Sequence, residues 1–355
     1  MPVKNYESIS STNDITTTTT LLHETIPLTG TIVSGTYGTF RSERNIKNYS
    51  HGQFQSVYDY PFLSSSANHI FDITLGYDES SSLSGSTSVQ NSKKINMYNQ
   101  FAQVLLGYTS STGDGIRKFE NDLTLDGAGY MKEVFFVSLS RLLVKDQIKK
   151  GSFSITFGTG STTAPFLSTK QVTLSDLSAS VNGDGVASTD GGEYGVLYSG
   201  SGGDAAVGVG AIFYQAGVAV ITASIFQSTT NDFNTEASLP ERDINQSLTG
   251  STISSSCDSF RKRLKNLSFN NTTQINSRIY FCRVPHNKFN YSSNPSYVSQ
   301  SKVVVKNQAS DNPVSYITTV GLYNDANELL AVAKLSEPLK KDPTNDITLR
   351  VRLDY

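Results

Sequence analysis

Ile347-Thr348-Leu349-Arg350-Val351-Arg352-Leu353-Asp354-Tyr355 closes the chain, and it decides the fold class. Ile347, Leu349, Val351 and Leu353 point one way; Thr348, Arg350, Arg352 and Asp354 point the other. A period of two over this length predicts a strand with one wet face. Just upstream, Asp342-Pro343 marks a turn. Glu328 to Leu335 reads as another strand, ended by Glu337-Pro338. Asn324-Asp325-Ala326-Asn327 is turn chemistry, because Asn and Asp bond their own backbone and tolerate left-handed conformations. Tyr316 to Tyr323, β-branched and aromatic, opens the set. An antiparallel three-stranded end-piece is expected, with the rest of the protein built around it.

Composition agrees with strands and turns. The chain has 355 residues, room for two domains or one large β domain. Hydrophobic residues are 37% and charged residues only 17%, with a net charge of −2 and 18 each of Tyr and Phe. Disorder needs few apolar residues together with high net charge, so this chain folds. Its polar mass is uncharged Ser, Thr, Asn and Gly. Near-zero net charge argues against a dedicated nucleic-acid binder, which carries a basic face. Cys257 and Cys282 are too few for a disulfide framework. One bridge between them is open, with two free buried thiols the expected state. Met1 to Ser8 has no apolar core of a secretory signal, so synthesis in a cytoplasm is expected.

Along the chain, residues 1–60 lack a sustained pattern and read as an extended N-terminal arm. It contains the run Thr16 to Thr20 and a locally basic stretch, Arg41 to Tyr49. Such an arm either stays loose or lies along a partner. Residues 61–250 read as a β-rich domain. Strands are expected at Asn68–Tyr77, Glu133–Ser140, Ser152–Gly158, Lys170–Leu174 and Tyr194–Tyr198. Asn91 to Leu106 spaces Ile95, Tyr98, Phe101, Ala102 and Leu105 at three and four, an amphipathic helix stopped by Gly107. Leu142 to Lys150 reads as a short helix. Val207 to Phe226 is long enough to span a bilayer. Gln215 and Gly217 interrupt it, so it reads as a hairpin, Val209–Tyr214 and Val218–Phe226, around a Gln-Ala-Gly turn. No membrane span is expected. Residues 228–250 read as a polar linker. Residues 251–355 comprise a helix at Ser254–Leu267, a strand at Ile275–Val284, another at Ser301–Lys306, and the terminal sheet, closing the same core or forming their own. The predicted class is mostly β (α+β): antiparallel, sandwich-like sheets with two or three short helices and an extended arm.

Site chemistry is sparse. His23, His51, His69 and His286 lack partners at metal-ligand spacing and read as surface or hydrogen-bonded residues. Asn182-Gly183-Asp184-Gly185 looks like a calcium loop, but Gly191 stands where an EF-hand needs a bidentate Glu. A turn is the expectation, with a surface cation at Asp176, Asp184 or Asp190 the alternative. The nucleophile-elbow, phosphate-loop and dinucleotide signatures do not occur. Ser299-x-x-Lys302 lacks its partner motifs. Arg261-Lys262-Arg263 with Lys265 is placed on the solvated face of the second helix, with a phosphate contact the alternative. The loop Phe289-Asn290-Tyr291 reads as aromatics packed between strands, with glycan stacking the alternative. No catalytic residue, metal or cofactor is expected.

Four stretches resemble virion structural proteins of tailed bacteriophages, chiefly contractile-tailed phages of the marine cyanophage kind. They are Asn91 to Leu105, Gly192 to Tyr198, Ile212 to Gly217 and Tyr316 to Asn324. The resemblance spans roughly residues 40 to 355 and carries over no catalytic residues. It implies a non-enzymatic virion component, of the tail or baseplate before the head–tail neck or capsid decoration, made in the host cytoplasm. Its partners would be other virion proteins and copies of itself. Arms and sheet edges gain main-chain hydrogen bonds from a neighbour. Phe40, Arg41, Arg44 and Tyr49 in the arm, and Arg350, Arg352 and Tyr355 in the last strand, are the expected assembly residues. A receptor- or glycan-binding β module is the competing class.

Overall fold

Val134 and Phe136 point to one side of their strand, and Phe135 and Val137 to the other; all four are buried. A strand apolar on both faces lies inside a domain with cover on each side. The structure, a computed structural model, describes residues 6–27, 43–109, 115–121, 129–161, 165–179, 185–199, 207–227, 233, 242–291, 298–299, 302–303, 310 and 312–355. Phe40, Arg41 and the turn at 182–184 lie outside the described residues.

The strands in chain order are β1 (Ile15–Pro27), β2 (Ile46–Asn48), β3 (Gln55–Tyr58), β4 (His69–Tyr77), β5 (Glu133–Leu139), β6 (Gln147–Ile148), β7 (Ser154–Gly158), β8 (Gln171–Ser175) and β9 (Val186–Thr189). They continue as β10 (Gly192–Ser199), β11 (Val207–Phe213), β12 (Val218–Thr222), β13 (Leu264–Val284), β14 (Val298–Ser299), β15 (Lys302–Val303), β16 (Ser315–Tyr323), β17 (Leu329–Lys341) and β18 (Ile347–Asp354). The helices are α1 (Asn91–Leu105), α2 (Arg141–Val144), α3 (Ile244–Gly250) and α4 (Ile253–Lys262). With 46% strand and 16% helix, and antiparallel sheets, the class is the one expected.

Contacts divide the chain into a unit of residues 22–273 and a unit of residues 1–21 with 274–355. These limits differ from the expected divisions at 60 and 250. β2 and β3 pair in sequence with β4, so residues 46–58 belong to the sheet rather than to an arm. The Thr16–Thr20 run is likewise strand, part of β1.

In the larger unit the strand order is β13-β7-β8-β10-β11-β12-β5-β4-β3-β2, with β6 on β13 and β9 on β10. Side-chain alternation separates two apolar clusters. Phe136, Phe213, Val218 and Val220 pack with Tyr98, Ala102 and Leu105 of α1. Phe135, Val137, Ile212, Ala219 and Ile221 pack with Ile253, Cys257 and Phe260 of α4. Phe157 of β7 joins the second cluster. It lies 4.9 Å from Phe260, which stacks at 4.5 Å on Phe135 of β5. In the hydrogen-bonded order β7 and β5 are separated by β8, β10, β11 and β12. A flat sheet would hold them more than about 20 Å apart. The sheet therefore curls over its own core, the sandwich-like arrangement expected.

α1 sits on β4 because residue 76 is glycine. A Cβ there would meet Lys94 O and Tyr98 N, both at 2.6 Å. These are backbone atoms and cannot swing aside. Gly76→Ala should therefore destabilise the larger unit by about 1–3 kcal/mol, as overpacking does. Thermal unfolding checks it, and an unchanged midpoint contradicts this packing. The hairpin β11–β12 turns at Tyr214–Gly217, where Gly217 has φ +68° and its N–H bonds Phe213 O, which is the expected Gln-Ala-Gly turn.

Several expected boundaries move. The Leu142–Lys150 helix is one turn, α2, followed by β6. The second helix stops at Lys262, and Leu264 and Leu267 are buried strand residues of β13. The residues 228–250 read as linker contain α3, fixed by a capping box between Asp243 and Gln246. β12 ends at Thr222 in a short 3-10 turn, Ala223–Phe226.

In the smaller unit the terminal strands do not form one sheet. β16 and β17 make a separate two-stranded sheet, while β18 pairs with β13 from Ser277↔Asp354 to Val284↔Ile347. β17 also runs past Glu337-Pro338. The register shifts between Ile317↔Leu339 and Thr319↔Lys334, so the proline sits in an irregularity where the ladder makes no demand on it. Ser299 and Lys302 face each other across β14–β15.

Candidate assembly surface

The smaller unit has a thin interior. Among the described residues its most buried apolar ones, Ile279, Val284, Val314, Leu322 and Val351, are each 8% exposed, and none of them belongs to either large apolar cluster. Lys341 is fully buried there. Its ammonium donates to Asn290 Oδ1 (2.8 Å), Asp342 O (2.8 Å) and His286 O (3.2 Å). Two of these acceptors lie on the loop 286–290, which Lys341 clips to the start of the following turn.

Two surfaces of this unit stay wet despite their chemistry. On the hairpin β16–β17, Val320, Leu322, Ala331 and Ala333 turn inward and Thr319, Gly321, Tyr323, Leu330 and Val332 turn outward. Leu330 is 67% exposed and Val332 53%. Tyr6 meets Tyr323 edge-on at 5.0 Å and extends the apolar face. The second surface is the ribbon β1-β13-β18. Asn276 and Tyr355 exchange both backbone hydrogen bonds, at 3.0 and 2.9 Å. By antiparallel alternation, Thr348, Arg350, Arg352 and Asp354 then aim their N–H and C=O groups at the outer edge of β18. Among the described residues no strand occupies that edge.

Arg350 and Arg352 therefore lie on the open edge, and Tyr355, just past β18, turns its backbone to β13; all three are exposed. Arg352 is tethered to Asp354 (2.7 Å) and Ser277 Oγ (3.1 Å). The hydrogen bond from Ser277 and the Arg352 guanidinium hold the Asp354 carboxyl below its ordinary value. Arg44 and Tyr49 belong to the larger unit, so the expected set is divided between the two units. Arg44 is exposed on a single 3-10 turn. Tyr49 is half-buried, stacked on His51 at 5.2 Å with Lys47 over its ring at 4.8 Å.

The buried polar groups were mostly invisible in the sequence. Lys94, on the apolar face of α1, is fully buried, and its Nζ donates to Leu248 O (2.6 Å) and Ser251 O (2.8 Å). These carbonyls end α3, where the helix dipole favours a cation. Burial lowers its pKa to about 8. The only signal was its spacing, one turn before Tyr98 on the face that packs. Arg261 and Arg263 are also buried, contrary to the solvated face expected for that cluster. Arg261 pairs with Asp258 at 2.8 Å, and Arg263 Nη1 donates to the carbonyls of Gly160 (2.6 Å) and Gly158 (3.2 Å). Both sit where α4 gives way to β13, so they tie that corner rather than meet a phosphate. Asp176, a candidate for a surface cation, is buried. It accepts from Gly151 N, Phe153 N and Tyr214 Oη, and burial raises its pKa. Its oxygens are already engaged by protein donors.

The remaining chemistry is plain. Cys257 is buried and Cys282 half-buried; both are free thiols, and burial raises the pKa of each. His69 bonds Asp72 at 2.8 Å and His23 bonds Thr272 at 3.1 Å. No group of three His, Cys, Asp or Glu residues suited to a metal occurs among the described residues. No helix among them is long and apolar enough to cross a membrane. An open groove of about 590 Å³ on β7–β8 is lined by uncharged residues, among them Ser152, Ser154, Gln171, Thr173 and Leu177. Phe289 and Tyr291 are exposed rather than packed between strands. A scan against protein-family models and searches of curated proteins and of solved structures returned no match to this chain.

Proposed function

We propose that this chain is a non-enzymatic building block of a tailed-phage virion, used in several copies in the tail or baseplate. The observation that carries an assembly role is the smaller unit, with an open β18 edge and an outward hairpin face bearing Leu330, Val332 and Tyr323. Apolar faces and free edges of this kind suit docking, because a neighbour supplies both burial and main-chain hydrogen bonds. The virion class rests on the resemblance of the four stretches. The buried ionic groups serve the fold: Lys94 closes α3, and Arg261 and Arg263 hold the α4–β13 corner. Head–tail neck and capsid-decoration positions are variants of the same reading.

Arg352→Pro tests it. The outward N–H at position 352 is lost, while the ladder to β13 is carried by its neighbours. The variant should remain soluble yet fall at least tenfold in the amount recovered in purified particles. Wild-type incorporation would remove the β18 edge from the account. The exposed rings of Phe289 and Tyr291 favour a second reading, a glycan-binding module. Glycan-array binding by the intact protein, with no incorporation defect in Arg352→Pro, selects that reading instead.

A further inference from the structure

We infer that β1 is a self-association edge and that its partner is β1 of a second copy of this chain. Asp14 O accepts from Phe281 N, Thr19 bonds Asn276, and His23 bonds Thr272. As β1 advances, β13 retreats by the same step, so the two are antiparallel. Asp14 turns its C=O to β13 while its N–H bonds Ser10 O, and Glu24 N, also even-numbered, donates to Asn271 Oδ1 of β13. Even-numbered residues of β1 therefore turn their backbone groups to β13, and Ile15, Thr17, Thr19 and Leu21 turn theirs outward. No strand among the described residues takes these groups, and Thr16 to Leu22 are all exposed.

The two edges of the ribbon are guarded differently. β18 carries Arg350, Arg352 and Asp354 along its outer edge, so a strand pairing there must carry charges complementary to these. β1 carries no charge and no proline from Ile15 through Leu22. A charged partner strand would set its ions against this neutral edge without counter-ions. A second β1 does not. Pairing about a two-fold axis at Thr18 sets Thr17 opposite Thr19, Thr16 opposite Thr20 and Ile15 opposite Leu21. Every outward N–H and C=O from Ile15 to Leu21 is then satisfied. Thr–Thr and aliphatic cross-strand pairs are favourable. Sliding the centre to Thr19 would set Asp14 against Glu24, so charge selects the Thr18 register. Such a contact is isologous and closes at two copies.

This inference stands without the virion reading and concerns a different edge from β18. Sedimentation of the purified full chain should give a dimer. Thr18→Lys places like charges opposite each other at the axis and should give a monomer with an unchanged circular dichroism spectrum. Thr348→Lys, on the other edge, should stay dimeric. Thr18→Cys should cross-link to a covalent dimer on mild oxidation, whereas Thr16→Cys and wild type should not. A wild-type monomer throughout the micromolar range, or a dimer that Thr18→Lys leaves intact, overturns the inference. Absence from particles, by contrast, would sink the virion role and leave the dimer untouched.

Discussion

Phe260→Ala should lower the unfolding free energy by about 3–5 kcal/mol, the range for deleting a buried aromatic ring. Phe260 is fully buried and lies among Phe135 (4.5 Å, stacked), Phe157 (4.9 Å) and Phe226 (5.9 Å). These rings come from α4, from two strands distant in the sheet order, and from the turn after β12. Removing the central ring leaves a cavity whose walls are held by three different elements, so little collapse can fill it. Urea unfolding followed by far-ultraviolet dichroism measures the loss. A change under about 1 kcal/mol would mean the sheet does not close around this ring.

The second large effect concerns Lys94. Its pKa is about 8 in the folded protein because burial disfavours the ammonium, against 10.5 as the ordinary value. Between these values the unfolded chain holds a proton that the native chain has released. Stability attributable to Lys94 therefore rises with pH through this window and falls back as pH drops through 8. The full span corresponds to about 3 kcal/mol. Other lysines and the tyrosines titrate nearby, so the readout is the difference between wild type and Lys94→Met. Wild type should gain on the variant from pH 7 to pH 9.5. Parallel profiles would mean that Lys94 is hydrated in the folded state. Lys94→Met also orphans Leu248 O and Ser251 O, which sets a constant offset but adds no slope.

Periodicity carried most of the fold. α1 starts and ends within a residue of its expected limits, since its apolar spacing and Gly107 are both local signals. β4, β5, β7, β8 and the β11–β12 hairpin were legible for the same reason. What the sequence hid was long-range. Leu264 and Leu267 continue the apolar spacing of α4, yet they belong to β13, whose partner β7 lies about a hundred residues upstream. The Thr16–Thr20 run has no apolar alternation, and only β13 makes it a strand. β18 was read in sequence with β16 and β17, but it pairs instead with β13. The buried cations were hidden by residue type. Lys94, Arg261 and Arg263 look like solvent residues until helix ends and carbonyls are placed beside them. Of the expected assembly residues, Arg350 and Arg352 lie in β18, and Tyr355 follows directly after it with its backbone turned to Asn276 of β13.

An assembling subunit is the central claim, and a cryo-electron-microscopy reconstruction of purified particles tests it most directly. Several symmetry-related copies of this chain are expected, with a neighbouring strand along Thr348–Asp354 and an apolar contact on Leu330, Val332 and Tyr323. Particles without this chain, or copies whose β18 edge and hairpin face stay open to solvent, would contradict it.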